Sequence, residues 1–154
     1  MPYDTLKSLG LALPEIPEPA GNYVPFARCG DVVYLAGQVP RHADGTLACG
    51  RLGDDLDAAA GAEHARLATL ALLAVLERAA GSLHEVERIV KVFGMVNATP
   101  DFTQHPAVIN GCSDLLVAVF GERGRHARSA VGMASLPGNV SVEIELIAEL
   151  RGAR

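Results

Sequence analysis

The C-terminal segment of the chain, residues 126–150, contains one arginine and two glutamates in a pattern that could bind and activate a small acid. Its last part alternates apolar and polar residues, as expected for a strand with one buried face. A turn-forming sequence, Leu136–Asn139, separates this part from an earlier alternating stretch that carries Arg128. We therefore predict a hairpin in which Arg128, Glu143 and Glu145 share the polar face.

In the predicted hairpin, Arg128 pairs with Ile147 and Gly132 pairs with Glu143. Arg128 and Glu143 would then lie about 13 Å apart along the strands, given the usual rise of a strand. A small ligand could contact both only through extended side chains, a bridging water or a groove completed by another subunit. The alternative interpretation is an exposed arginine beside two solvated glutamates.

The composition predicts a single globular domain with an acidic charge balance. The chain has 154 residues, 49% of them hydrophobic, and its net charge is −5. A domain of this size buries about two-thirds of the surface of its unfolded chain. The negative charge and the absence of tryptophan argue against a broad nucleic-acid-binding face, so we expect no nucleic-acid partner.

Cysteine and hydropathy patterns indicate the compartment of the protein. The three cysteines are odd in number and lack metal-ligand spacing, which favours free thiols in a reducing cytosol. The apolar run Leu9–Leu13 is too short for a signal peptide, and Leu67–Leu76 is about half of a membrane span. We therefore expect a cytoplasmic protein that is not associated with a membrane. The histidines also lack metal-ligand spacing, so no metal site is predicted.

Apolar periodicity predicts the element order β-β-α-β-α-β-β. Prolines near the start favour an extended arm over residues 1–20, and a single domain follows over residues 21–151. The fold class is therefore α+β, with a mixed sheet, two helices on one of its faces and an open face available for assembly. The predicted elements before the C-terminal hairpin are strands at Tyr23–Cys29, Val32–Gly37 and Val86–Val96 and helices from Asp57 to Ala80 and from Pro106 to Gly121.

Several short motifs, in a fixed order, carry a more specific signal. The strongest are Ala127-Arg128-Ser129, then Leu136-Pro137, then Val142–Glu145. The supporting matches are Asn22-Tyr23-Val24, Gly37–Pro40, Ile89–Lys91 and Asn110. Between about Gly21 and Leu150 the chain resembles the Rid family, the reactive intermediate deaminases also called YjgF-like proteins. Its long N-terminal arm resembles in particular a divergent branch of that family labelled endoribonuclease-like.

The resemblance implies a fold similar to that of the trimeric chorismate mutases, with clefts between the subunits of a homotrimer. In such a cleft the separation of Arg128 and Glu143 would not prevent a complete site, because a second subunit could supply the residues that one chain cannot bring together. Family members with known activity hydrolyse short-lived enamines and 2-imino acids, such as 2-aminoacrylate, to 2-oxo acids and ammonia. The resemblance therefore implies a small carboxylate substrate and no cofactor.

The resemblance also assigns roles to individual residues. Arg128 matches the arginine that binds the substrate carboxylate, a task suited to a planar guanidinium. Glu143 matches the glutamate that positions or deprotonates the attacking water. Tyr23 and Asn110 match residues that line the cleft, with packing and helix-surface polarity as their respective alternatives. Two further positions of the implied substrate-binding set are Gly37 and Ala130.

Two departures from the family pattern leave alternative functions open. Ala130 stands where many deaminase members have cysteine, and Ala36 stands where serine is common, so both remove polar groups from the cleft. One alternative is therefore a non-catalytic trimer that binds a small carboxylate. Another is an RNA-cleaving or translation-inhibiting protein, which the family labels and a basic cluster suggest. The cluster consists of Arg123, Arg125, His126 and Arg128, and a solvated turn is its alternative interpretation.

Overall fold

The centre of the structure, a computed structural model that describes residues 2–152, is a five-stranded mixed sheet. The strands are β1 (Phe26–Cys29), β2 (Val32–Gln38), β3 (Val86–Asn97), β4 (Ala127–Met133) and β5 (Val142–Leu150). The helices are α1 (Pro2–Ser8), α2 (Ala58–Ala80) and α3 (His105–Phe120). The strand order across the sheet is β1-β2-β5-β3-β4, with β3 and β4 parallel and the other neighbours antiparallel. The predicted α+β class and the predicted order of elements from β1 to β5 are confirmed.

Local sequence signals define where these elements begin and end. Asp57 caps α2, because its side chain accepts a 2.8 Å hydrogen bond from the backbone N–H of Ala60. Gly81 ends the helix in the left-handed conformation (φ 79°), which glycine adopts without a steric penalty. Gly30 (φ 61°) likewise makes the tight turn between β1 and β2. Each of these boundaries was therefore readable from residue type.

Alternate residues of the central strands build the core against one face of the sheet. On β5, Val142, Ile144 and Leu146 are at most 1% exposed. Glu143 and Glu145 lie between them and therefore point to the opposite face. Helix α2 lies on β2 and β5, and α3 lies on β3 and β4, so both cover the same side. The predicted arrangement of two helices on one face is confirmed.

Helix α2 is long and apolar enough to cross a membrane by length and composition alone. Half of its most apolar window is buried inside the fold, however. The buried positions include Leu72, Leu73 and Leu76, which are fully enclosed in the core. Packing against the sheet therefore accounts for the apolar character of this helix.

The predicted C-terminal hairpin is wrong, because β4 and β5 are not neighbours. β3 lies between them and pairs with both, and a parallel pair such as β3 and β4 requires a crossover, which α3 provides. Residues 134–141 then carry the chain across the end of β3. There Asn97 Nδ2 donates to Asn139 Oδ1 (3.1 Å) and to the Val140 carbonyl (3.2 Å). The turn at Leu136–Asn139 exists, but it belongs to this connection.

The N-terminus departs from the extended arm predicted over residues 1–20, because Pro2–Ser8 forms α1. Leu6 is 3% exposed and belongs to the core. The Tyr3 hydroxyl donates to Glu77 Oε1 (2.7 Å) and accepts from the backbone N–H of Leu83 (2.9 Å). These contacts fix α1 at the C-terminal end of α2. Residues 11–19 contain neither helix nor strand, and Met1 lies outside the described residues.

Helices α2 and α3 approach each other closely at Gly111. A Cβ atom placed on Gly111 would overlap the backbone carbonyl of Ala62, which cannot move without moving α2. We therefore expect Gly111→Ala to destabilise the fold by about 3 kcal/mol, at the upper end of the usual cost of overpacking. Urea unfolding followed by circular dichroism measures this change.

Gly61→Ala provides the matched control for this prediction. A Cβ on Gly61 would first meet the side chains of Leu52 and Val108, which are fully buried and must shift to accommodate it, whereas a Cβ on Gly111 would first meet backbone atoms. Alanine is the better helix former by about 1 kcal/mol, which offsets part of this repacking cost, so this variant should lose clearly less stability than Gly111→Ala. Equal losses of stability in both variants would contradict a backbone overlap at Gly111.

Candidate active site

Arg128 lies on the edge strand β4 and points towards α3. It pairs with Val92, which is fully buried beneath the helices, and paired residues of neighbouring strands point to the same face. Its Nη1 atom donates to Asn110 Oδ1 (2.8 Å) and to Ser113 Oγ (3.1 Å). Asn110 and Ser113 lie three residues apart on α3 and therefore on one side of that helix. Two residues of the predicted site, Arg128 and Asn110, are thus in direct contact.

The guanidinium of Arg128 keeps one edge available for a ligand. Both hydrogens of Nη1 are used by the two α3 side chains, whereas Nε and Nη2 donate to no group within residues 2–152. An N–H pair on one guanidinium edge can bind both oxygens of a carboxylate in parallel. Ala130 lies two residues further along β4 on the same face and adds only a methyl group. This arrangement can hold a small carboxylate beside an uncharged neighbour.

Glu143 lies on the opposite, open face of the sheet, where it pairs with Met95. A Cβ atom placed on Gly37 would come within 2.5 Å of Glu143 Oε1, so the carboxylate lies directly over the Gly37 backbone. The pairing of β2 with β5 is irregular at this point. Burial raises the pKa of Glu143, and the charge of nearby Glu145 raises it further. Glu143 is therefore a stronger base than an ordinary glutamate.

The predicted common face for Arg128, Glu143 and Glu145 is wrong. Because β3 separates β4 from β5, Arg128 pairs with Val92 and Glu143 pairs with Met95. Val92 and Met95 are three positions apart on β3 and therefore point to opposite faces. Within one chain the sheet itself separates Arg128 from Glu143, so a small ligand cannot contact both.

The predicted site residues thus fall into two half-sites. The α3 half-site consists of Arg128, Asn110 and Ala130, and the β5 half-site consists of Glu143 and Gly37. Tyr23 joins neither of them by a hydrogen bond. It precedes β1, the residue is 58% exposed, and its hydroxyl has no hydrogen-bond partner in the described part of the chain. Each predicted site residue except Tyr23 therefore belongs to one of the two half-sites.

Ser113 was not predicted as a site residue, and His126 was predicted only as a member of the basic cluster. Ser113 Oγ lies 2.9 Å from His126 Nε2 and also accepts the hydrogen bond from Arg128. The available signal was the spacing of Asn110 and Ser113 on a predicted helix, since side chains three residues apart are neighbours. Ser113 contacts Arg128 directly, and His126 contacts it through Ser113.

The basic cluster predicted at residues 123–128 is divided among separate partners. Arg123 Nη1 donates to the backbone carbonyl of Val86 (2.7 Å), and Arg125 Nε donates to Glu122 Oε1 (3.1 Å). Binding to a nucleic-acid backbone depends on cations that remain free to neutralise phosphates. The local partners therefore favour a structural role for this cluster.

A cleft of about 700 Å³ lies elsewhere, between residues 53–60 and 99–104. The acidic residues on its walls are Asp54, Asp55, Asp57 and Asp101. Carboxylates of this number repel an acidic ligand, and the cleft contains no residue of either half-site. Within residues 2–152 no group of three or more His, Cys, Asp or Glu side chains is placed to hold a metal ion. We therefore assign the candidate active site to the two half-sites.

Comparison with known proteins establishes the family of the chain. A family model described as "YjgF/chorismate mutase-like, putative endoribonuclease" matches residues 4–150. Among solved structures, a protein from Shewanella oneidensis with the same endoribonuclease description superimposes with a TM-score of 0.93. It is 37% identical in sequence, and the match covers 97% of this chain and 99% of that one. The chain therefore belongs to the YjgF/chorismate mutase-like family.

Two relatives differ in what their names say. Protein TCP17 of Trypanosoma cruzi is 41% identical over 146 residues, which are 94% of this chain and 91% of that protein. A 2-iminobutanoate/2-iminopropanoate deaminase of Dermatophagoides farinae is 28% identical over 138 residues, which are 89% of this chain and 92% of that protein. Only the second name states an activity. The resemblance to the Rid family, predicted from the motifs, is confirmed.

Proposed function

We propose that the protein is a cofactor-independent deaminase that hydrolyses 2-imino acids, or enamines such as 2-aminoacrylate, to 2-oxo acids and ammonia. The observation that carries this proposal is the α3 half-site. There Arg128 is anchored through Nη1 and keeps its Nε–Nη2 edge for a carboxylate. The relative named as a 2-iminobutanoate/2-iminopropanoate deaminase supports the substrate class.

Hydrolysis of an imine requires a base for water and an acid for nitrogen. Arg128 binds the carboxylate next to the imine carbon, a contact worth about 1.5 to 3 kcal/mol. Glu143 accepts a proton from a water molecule whose oxygen attacks the imine carbon, and it returns this proton to the nitrogen. Glu143 then takes the hydroxyl proton of the resulting carbinolamine and delivers it to the amino nitrogen, so the C–N bond breaks and leaves the 2-oxo acid and ammonia. The raised pKa of Glu143 suits it to both proton transfers.

In the proposed enzyme the two half-sites of one active site belong to different subunits. Arg128 and Glu143 lie on opposite faces of the sheet, so a complete site requires one residue from each of two chains. The open face also exposes Tyr34 (49%) and Val131 (38%), whose burial between subunits would be favourable. We propose a homotrimer with one site at each interface, in line with the resemblance to the trimeric chorismate mutases.

Ammonia release from freshly generated 2-iminobutanoate tests the proposed activity. We expect the purified protein to release ammonia well above the rate in buffer alone. Analytical ultracentrifugation should give three times the 16.1 kDa mass of one chain. A rate equal to that of buffer would overturn the deaminase function, and a monomer would overturn the division of the site between subunits.

Gly37→Ala tests the β5 half-site without removing a polar group. The new methyl group would displace the Glu143 carboxylate, which is the flexible end of a side chain, so Tm should change little. We expect kcat to fall about tenfold or more, because a small misplacement of a reacting group is costly. Gly152→Ala is the control, since Gly152 lies beside Asp31 and belongs to neither half-site. Wild-type kcat in Gly37→Ala would argue against Glu143 as the base.

A non-catalytic carboxylate-binding trimer is the second candidate function. It is favoured by Ala130 and Ala36, which add no polar group beside Arg128 or Gly37. Under this alternative, calorimetry would detect Arg128-dependent binding of 2-oxobutyrate in a protein that releases no ammonia. The separate partners of the basic cluster do not favour the RNA-cleaving alternative.

A further inference from the structure

Behind Arg128, a chain of hydrogen bonds connects its guanidinium to His126. Ser113 Oγ lies 3.1 Å from Arg128 Nη1 and 2.9 Å from His126 Nε2. On its other side, the His126 ring places Nδ1 2.7 Å from the carbonyl oxygen of Gly124. This chain therefore links the backbone of the turn before β4 to the group that binds the substrate carboxylate in the proposed function.

The direction of each hydrogen bond follows from the chemistry of the groups. A carbonyl oxygen only accepts, so the proton on Nδ1 of His126 is donated to Gly124. A guanidinium only donates, so Ser113 Oγ accepts from Arg128 and offers its own hydrogen to His126 Nε2. In this arrangement Ser113 uses both its donor and an acceptor position.

The environment of His126 keeps its ring neutral, as this arrangement requires. Burial is the main cause that lowers the pKa of His126, while the hydrogen bond to Gly124 acts in the opposite direction. The positive charge of Arg128 lowers the same pKa further. Near pH 7 the Nε2 atom therefore has a free lone pair for the Ser113 hydroxyl.

We propose that His126 and Ser113 are positioning residues that fix Nη1 of Arg128, so that its Nε–Nη2 edge faces the substrate carboxylate. This inference rests on the proposed function, because it concerns the same carboxylate-binding group. An arginine side chain has several rotatable bonds, and holding it before the ligand arrives lowers the entropic cost of binding. Asn110 fixes the same nitrogen from a second side. Ser113 and His126 thus act through Arg128 and not on the reacting atoms.

Steady-state kinetics and calorimetry with 2-oxobutyrate test the proposal. Ser113→Ala removes an acceptor of Nη1, and it should raise KM for 2-iminobutanoate and Kd for 2-oxobutyrate about tenfold with little change in kcat. His126→Leu removes the partner of the serine hydroxyl and should raise both constants about threefold. Ser113→Thr keeps the hydroxyl and should remain within about twofold of the wild type, as should the remote control Ser8→Ala.

An Arg128→Ala background distinguishes positioning from a general structural role. If Ser113 acts only through Arg128, adding Ser113→Ala to Arg128→Ala should leave the residual kcat/KM unchanged. A structural contribution would persist in this background, because it does not depend on the guanidinium. A further loss of kcat/KM in the double variant would therefore overturn the proposal.

Failure of this inference and failure of the proposed function give different results. A wild-type protein that releases no ammonia overturns the function. Wild-type affinity for 2-oxobutyrate in Ser113→Ala and His126→Leu, together with lost affinity in Arg128→Ala, overturns the positioning role alone. Nitrogen-15 NMR of the ligand-free protein supplies a readout that needs no activity. We expect His126 to be protonated on Nδ1, and protonation on Nε2 alone would overturn the proposed chain of hydrogen bonds.

Discussion

An equimolar mixture of Arg128→Ala and Glu143→Gln chains, unfolded and refolded together, should recover about a quarter of the wild-type rate of ammonia release. Each variant alone should be nearly inactive. Loss of the carboxylate contact costs about 100-fold in kcat/KM, and loss of the general base costs about 10² to 10⁴-fold. The mixture recovers activity because each proposed site takes Arg128 from one chain and Glu143 from the next.

Random assembly of the two variants sets the size of this recovery. Half of the chains supply an intact Arg128 and the other half supply an intact Glu143, so about one site in four receives both. We expect this recovery because Arg128 and Glu143 point to opposite faces of the sheet within each protomer. A site contained within one chain would never be restored by mixing, since every chain in the mixture is defective.

The matched control mixes Arg128→Ala chains with chains that carry both substitutions. No chain in this second mixture has Arg128, so no complete site can form and the rate should stay at the level of the single variants. Circular dichroism shows whether all the variants are folded before they are compared. If the first mixture were no more active than this control, the shared site would be refuted.

The pH dependence of kcat should show an acidic limb above the ordinary pKa of a glutamate, and Glu143→Gln should lower the plateau rate about 10² to 10⁴-fold. Burial raises the pKa of Glu143, and Glu145 raises it further. A base works in its ionised form, so the rate falls as the pH falls through this raised pKa. The positive charge of Arg128 from the neighbouring chain would lower the pKa of Glu143. In the enzyme–substrate complex the substrate carboxylate offsets that charge.

Glu145→Gln separates the two causes of this shift. The substitution removes the neighbouring negative charge and leaves the burial of Glu143 unchanged, so the acidic limb should move to lower pH. The plateau rate should stay within about threefold of the wild type, because Glu145 takes no part in the proton transfers. Rate profiles over a range of buffers measure the limb, and a limb that does not move would contradict the coupling.

Thermal unfolding gives an independent check on the sign of the Glu143 shift. Its pKa is higher in the folded than in the unfolded chain, so folding favours the protonated carboxyl. The resulting stability is present at low pH and is lost as the pH rises through the folded-state pKa. Glu143→Gln should therefore raise Tm slightly at neutral pH while it abolishes activity.

The helices and strands could be predicted because each carries its own local signal. Asp57 and Gly81 mark the two ends of α2, and strict alternation marks the buried face of β5. Motif spacing likewise singled out Arg128 and Glu143, which the structure places on their respective half-sites. These signals lie within a few residues of the feature they specify, so no knowledge of distant contacts is needed.

The pairing of strands could not be predicted in the same way. Alternation along β4 and β5 identifies faces but not neighbours, and the turn at Leu136–Asn139 suits either a hairpin or a longer connection. The insertion of β3 depends on how α3 crosses the sheet. The same packing brings Ser113 to His126, thirteen residues away, and a contact across 74 residues brings Tyr3 to Glu77. Such contacts are set by the three-dimensional packing and leave no periodic trace in the sequence.

Because the sheet separates Arg128 from Glu143 within each chain, ligand binding in the proposed enzyme is coupled to subunit association. In the proposed trimer, a metabolite bound by the guanidinium of one chain and near the carboxylate of the next contacts both chains at once. Thermodynamic linkage is reciprocal. If association of the chains raises the affinity for the metabolite by some factor, the bound metabolite raises the association constant of the chains by the same factor. The concentration of the imino acid would then help to determine how much of the protein is assembled.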